Sequence, residues 1–86
     1  HPSLFHQGLE ADQLHWINEV PKSSMKNISA KIRYRQDDQK CKITELSKNN
    51  CKVIFNNPQF AITPGQSIVF YLNNKCLGGA IIDKRF

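Results

Sequence analysis

At 86 residues the chain has room for one domain, and a hydrophobic share of 40% supplies a single modest core, which excludes a second domain. Twelve Lys and Arg against seven Asp and Glu give a formal charge of +5, which favours a polyanionic partner over a basic one. Nine of the basic residues and only three acids lie between Lys22 and Lys52, so the excess is local and the remainder is close to neutral.

In chain order, the stretch from Leu9 to Ile17 fits a strand or a short helix capped by Asp12, and a strand is the reading adopted. Val20-Pro21-Lys22-Ser23-Ser24 has linker composition but is too short to divide domains. Residues 28–35, Ile-Ser-Ala-Lys-Ile-Arg-Tyr-Arg, alternate apolar and polar side chains without a break, and period two means a strand. Ile28, Ala30, Ile32 and Tyr34 are then expected to face the core, with Lys31, Arg33 and Arg35 side by side on the outer face. Asp37-Asp38-Gln39 supplies turn residues, after which Cys41 and Ile43 resume the alternation with Lys40 and Lys42 opposite. Ser47-Lys48-Asn49-Asn50 makes the next turn. Cys51, Val53 and Phe55 alternate in the strand that follows, which Asn56-Asn57-Pro58-Gln59 is expected to end.

Phe60-Ala61-Ile62 leads into Thr63-Pro64-Gly65-Gln66, where Pro second and Gly third predict a type II turn with Gly65 at positive φ. Residues 68–72, Ile-Val-Phe-Tyr-Leu, are apolar on both faces, as in a central strand covered on each side. Asn73-Asn74 predicts a two-residue hairpin loop. In the last strand, Cys76 to Ile82, the pair Gly78-Gly79 implies a bulge, a barrel corner or close approach of another backbone. Six short strands, within a range of five to seven, define an all-β protein, a small antiparallel β-barrel.

Little in this pattern offers chemistry. His1, His6 and His15 have no Cys or carboxylate at ligand spacing and read as surface side chains, so no metal site is expected. The three cysteines are an odd number without a Cys-x-x-Cys pair. They read as buried thiols of a reducing compartment, with Cys41 and Cys51 in phase with the core and Cys76 also expected to pack inward. Gly78-Gly79 lacks the elements of a phosphate loop, and Asp37-Asp38 reads as a solvated turn. No catalytic residue and no cofactor site are assigned. No run approaches the roughly 18 apolar residues of a membrane span, and no signal-peptide pattern opens the chain, so a cytoplasmic location without a membrane partner is expected. Because the chain begins at His1, it reads as excised from a longer polypeptide whose chemistry lies upstream. The remaining constellation is the basic stripe of Lys31, Arg33 and Arg35, flanked by Lys40 and Lys42, with Tyr34 and Gln36 adding stacking and hydrogen-bonding capacity. Composition leaves three readings open: an RNA-binding face, a docking surface for a partner or neighbouring domain, and a plain solvated face.

Four runs, Leu14-His15-Trp16-Ile17, Lys31-Ile32-Arg33-Tyr34-Arg35-Gln36, Ala61-Ile62-Thr63-Pro64-Gly65-Gln66-Ser67-Ile68-Val69-Phe70-Tyr71 and Cys76-Leu77-Gly78-Gly79, resemble in order and spacing the C-terminal domain of the bacterial tRNA-specific 2-thiouridylase family. The resemblance covers nearly the whole chain. It implies that residues 1–86 are the single C-terminal β-barrel of a longer enzyme, similar to the second domain of elongation factor Tu, with the catalytic and central domains absent. It further implies that the parent enzyme replaces O2 of the wobble uridine of tRNA with sulfur, using ATP with Mg and a persulfide cysteine, and draws its sulfur from a relay protein or a cysteine desulfurase. The nucleotide loop and reactive cysteines of that family belong to its upstream domain, so Cys41, Cys51 and Cys76 gain no role.

The same resemblance places tRNA contacts at Arg33, Tyr34 and Gln66, and the basic stripe adds Lys31 and Arg35 as secondary candidates. It conflicts in part with the alternation, which turns Tyr34 inward, and a bulge at that point would reconcile the two. Ala80 stands where the family has a third glycine, which predicts an ordinary φ there. Two other functions remain. The domain is an architectural module that positions the catalytic domains without binding RNA strongly, or, if the native gene starts near residue 1, an independent translation-factor-like barrel.

Overall fold

The computed structural model describes residues 4–17, 19–22, 25–32 and 37–86. Six strands form: β1 (Phe5–Trp16), β2 (Ile28–Lys31), β3 (Gln39–Thr44), β4 (Asn50–Phe60), β5 (Ser67–Leu72) and β6 (Lys75–Arg85). Each pairs antiparallel with two neighbours in the order β1-β4-β3-β2-β5-β6, and β6 returns to β1, closing the barrel. The expected all-β, six-stranded antiparallel barrel is borne out. Closure satisfies the backbone groups that an open sheet of this length would expose at two edges.

The period-two pattern builds the core. Ile28 and Ala30 of β2, Cys41 and Ile43 of β3, Cys51, Val53 and Phe55 of β4, and Ile68 and Phe70 of β5 are buried, each at every second position. Leu9 and Ala11, with Leu77, Ala80 and Ile82, complete it from β1 and β6. Ile32 packs partly buried against this cluster. Tyr34, also expected inward, lies outside the described residues.

The adopted strand reading of the N-terminal stretch holds, over a longer span than the expected start at Leu9. Asp12 caps no helix; it pairs with Asn50 on one side and Ile81 on the other. The helix-like spacing comes from a break in the ladder to β6 between Asp12 and His15, where Gln13 takes a φ of 53°.

The turn chemistry was legible. Gly65 has a φ of 93° and the Gln66 N–H donates to the Thr63 carbonyl at 3.2 Å, closing the turn. Asn73 and Asn74 both have positive φ, at 48° and 71°, and join Leu72 to Lys75 directly. Ala80 is not among the residues with positive φ, as expected.

Four expectations need correction. β2 ends at Lys31, with Ile32 already outside the strand, where the alternation predicts a strand over residues 28–35. β4 does not stop at residues 56–59 but runs through Pro58 to Phe60. The ladder to β1 shifts between His6 and Gly8, leaving Pro58 among the unpaired residues of a bulge where a missing N–H costs no ladder bond. Gln59 then closes the end from a buried position, its Nε2 donating to the Asn57 carbonyl at 2.8 Å. β6 likewise continues past Ile82 to Arg85, because Glu10 and Leu9 pair with Lys84 and Arg85. Cys76 is half-buried, since a register shift between Phe70 and Tyr71 gives the core position to Leu77.

Candidate nucleic-acid interface

The outer face of the sheet carries the basic stripe as far as the structure describes it. Lys31, at the end of β2, stands opposite Val69, and on β3 Lys40 faces Ser29 while Lys42 faces Ile54. Lys40 and Lys42 are exposed and Lys31 is half-buried. Ser29 is buried, and its hydroxyl donates to the Asp38 carboxylate at 2.5 Å, so that acid is engaged within its own hairpin. Among the described residues one ion pair forms, Lys52 with Glu45 at 3.7 Å, and it uses neither Lys31 nor the β3 lysines.

Gln66 sits at the opposite end of β5 from the Asn73-Asn74 turn. Its backbone is fixed twice: its N–H closes the turn on Thr63, and its carbonyl accepts the Ile82 N–H at 2.8 Å. The Gly65 N–H adds a bond to the Ile82 carbonyl at 2.8 Å. Its side-chain Oε1 is shielded from solvent and has no hydrogen-bond partner among the described residues. An amide oxygen so placed carries an unmet acceptor capacity of about 1–3 kcal/mol. Lys31 is cross-strand to Val69, three residues along β5 from Gln66, which puts the two positions about 10 Å apart along the strand. The structure thus brings Lys31 and Gln66 to one end of the barrel. Arg33, Tyr34 and Arg35 lie outside the described residues, and so does the bulge expected at Tyr34.

The cysteines are packing residues in the geometry shown. None forms a disulfide. Burial pushes the Cys41 thiol up to about 12, with Cys51 nearby adding to the shift, and burial pushes Cys51 up to about 11. Both folded values lie above the ordinary 9.0, so the stability linked to these thiols is fully present below pH 9 and is lost as pH rises towards 11–12. The melting temperature is therefore expected to fall between pH 9 and 11 more steeply in the native chain than in a Cys41→Ala/Cys51→Ala variant; equal slopes would contradict the burial of these groups. His6 is half-buried and His15 exposed, and no group of three potential metal ligands occurs among the described residues. No helix among them is long and apolar enough to cross a membrane.

Several polar residues of the outer face were not singled out from the sequence. Lys26 counts only towards the local charge, Asn27 carries no pattern, and Asn73 and Asn74 carry only a turn signal. Asn27 has a φ of 67°, a conformation asparagine tolerates better than most residues, and that is the one local signal it carried.

A closed barrel with Cys41 and Cys51 buried, a basic outer face and a shielded amide oxygen at one end defines a small β-barrel domain. The chain belongs to the aminomethyltransferase β-barrel domain family, whose model matches residues 6–82, and the expected likeness to the C-terminal domain of tRNA-specific 2-thiouridylases is borne out. It is 52% identical over 85 residues to the tRNA-specific 2-thiouridylase MnmA of Aliivibrio fischeri, covering 99% of this chain and 23% of that protein. The MnmA of Pseudoalteromonas atlantica is 51% identical over 83 residues, covering 96% and 21%, and that of Vibrio campbellii is 49% identical over 85, covering 99% and 23%. The chain spans about a quarter of the length of these relatives.

Proposed function

We propose that this chain is the tRNA-contacting domain of a tRNA 2-thiouridylase, and that residues 1–86 form a single non-catalytic barrel of that longer enzyme. Arg33, Tyr34 and Gln66 make the principal contacts, with Lys31 and Arg35 contributing charge beside them. The parent enzyme replaces O2 of the wobble uridine with sulfur, using a persulfide cysteine fed by a relay protein or a cysteine desulfurase, in the cytoplasm. ATP and its Mg belong to the upstream part of that enzyme, because this chain's residues do not fit them. Gly78 and Gly79 are spent on close strand contacts, while Gly65 closes a turn.

The observation that carries the reading is Gln66, whose backbone is fixed by turn and ladder while its Oε1 lacks a partner among the described residues. The residue as a whole is half-buried, so its side chain turns outward to present the shielded oxygen to an RNA amino or hydroxyl donor, and the fixed backbone reduces the ordering cost of that contact. Gln66→Ala and Arg33→Ala in the intact protein are each expected to weaken tRNA binding by about ten-fold, the scale of one good polar or charged contact, without lowering the melting temperature. Wild-type affinity and thiolation in the double variant would overturn the assignment.

A second reading, an architectural module that holds the catalytic domains in place, is favoured by one apolar feature. Phe5 and Phe60 pack edge to face at 5.4 Å, and with Leu4 they remain exposed at the start of β1. That reading requires the two polar substitutions to be silent and Phe60→Ser to impair activity instead.

A further inference from the structure

Two shallow depressions meet on the outside of the barrel where β2, β3 and the β5–β6 hairpin come together. Lys26, Asn27, Lys40 and Lys42 contribute to one, and Asn27, Lys40, Asn73 and Asn74 to the other. Because Asn27 and Lys40 belong to both, they form one trough. From it we infer that the domain has a second RNA subsite, separate from the Gln66 end, which grips the phosphate-sugar backbone of the same tRNA; this rests on the reading that the domain meets tRNA.

The charge balance favours a polyanion. All three lysines are exposed, and none has a carboxylate partner among the described residues. The acid that lines the trough, Asp38, accepts the Ser29 hydroxyl. Three ammonium groups around one depression repel one another, and an anionic strand removes that repulsion while releasing its own counterions. The carboxamides supply the second element. Asn27, Asn73 and Asn74 all stand at positive φ, a backbone state fixed by the hairpin and the entry to β2, so their positions are set before a ligand arrives. Each offers both a donor and an acceptor, which suits phosphate oxygens and ribose 2′-hydroxyls together.

No aromatic side chain among the described residues lines the trough, so base stacking by them is not its mode of recognition. The same lack of an aromatic anchor disfavours an acidic protein partner, whose affinity would rest on such a residue. The six-residue strand β5 separates Asn73 from Gln66 by about 23 Å, so one RNA chain that touches both ends must run along the barrel.

The test uses the intact protein carrying Lys26→Gln, Lys40→Gln and Lys42→Gln together, titrated with unmodified tRNA transcripts of different sequence over about 50–200 mM salt. Affinity is expected to fall about ten-fold or more at the low-salt end, equally for every transcript. The slope of log K against log salt should flatten by about 2, the mark of lost phosphate contacts. Gln66→Ala, measured in parallel, should lower affinity without flattening the slope. An unchanged slope in the lysine variant, with Gln66→Ala still weakened, would overturn the trough and leave the domain's RNA role standing. Wild-type binding in both variants would overturn both. The lysines are exposed, so the melting temperature should not move, and a wild-type melt confirms that the loss is one of binding.

Discussion

Gly78→Ala is expected to leave the barrel unfolded or melting more than 20 °C below the native chain. At this position Gly78 pairs with Trp16 of β1 and with Phe70 of β5, so it is a point where two ladders converge. A Cβ built on its backbone lies 2.0 Å from the His15 carbonyl oxygen and 2.8 Å from the Trp16 Cα. Both are backbone atoms of β1, which no rotamer change can move aside. The φ of 148° is itself one that a side chain strains. Relief requires β1 and β6 to separate at the Trp16 end, which breaks the bond from the Ile17 N–H to the Leu77 carbonyl, 2.8 Å long. A chain of this size has about 4–13 kcal/mol of total stability, and each kcal/mol is worth roughly 4–8 °C. A loss of several kcal/mol therefore consumes most of it. Gly65→Ala is the contrast: nothing lies within 4 Å of its added Cβ, and only the φ of 93° is strained. Its melting temperature should drop by about 5–15 °C, the scale of strain confined to one turn. Equal melting temperatures for the two variants, followed by circular dichroism, would remove the close β1–β6 approach from the account.

The glycine pair also shows what kind of information the sequence carried. A conformational demand made by one or two residues is written locally, so the Thr63–Gln66 turn, the Asn73-Asn74 loop and the tight approach at Gly78 could all be read. Pro58 was misread for the same reason. By local chemistry it ends a strand, and only the bulge against β1, about fifty residues earlier, makes it tolerable. The polar end of β6 was invisible likewise, since Asp83, Lys84 and Arg85 have no core face, and the strand is held there by the pairing of Lys84 with Glu10 and of Arg85 with Leu9 and by the Arg85 Nη1 bond to the Ile62 carbonyl at 2.7 Å. The candidate site divides in the same way. Lys31, Lys40 and Lys42 follow from alternation on consecutive strands, and Gln66 from a motif. The trough does not, because Asn27, Lys40 and Asn73 come from separate parts of the chain and become neighbours only when β2 takes its place between β3 and β5.

That placement of β2 and β5 rests on Phe70, and Phe70→Ala is expected to cost about 3–5 kcal/mol. The ring is fully buried and lies against Trp16 with centroids 5.5 Å apart and planes tilted by 39°. Its neighbours cannot fill the space: Ala30 and Gly78, its cross-strand partners, are both small. The deleted ring thus leaves a cavity bounded by Trp16 and the rest of the core, and the lost transfer energy is joined by lost contacts that relaxation does not restore. A melting temperature lowered by about 12–40 °C is expected, with the tryptophan emission of the folded form shifted as its ring loses its neighbour. The functional consequence separates packing from recognition. Where Phe70→Ala remains folded, at low temperature, Gln66 still holds its two backbone bonds to Thr63 and Ile82 on the far side of the turn, and tRNA affinity should return to within about three-fold of the native value. The Gln66→Ala defect, by contrast, should persist at every temperature because it removes a contact and leaves the fold intact. If cooling restored binding in Gln66→Ala but not in Phe70→Ala, the RNA would be read through the shape of the barrel, with the Gln66 amide serving the turn alone.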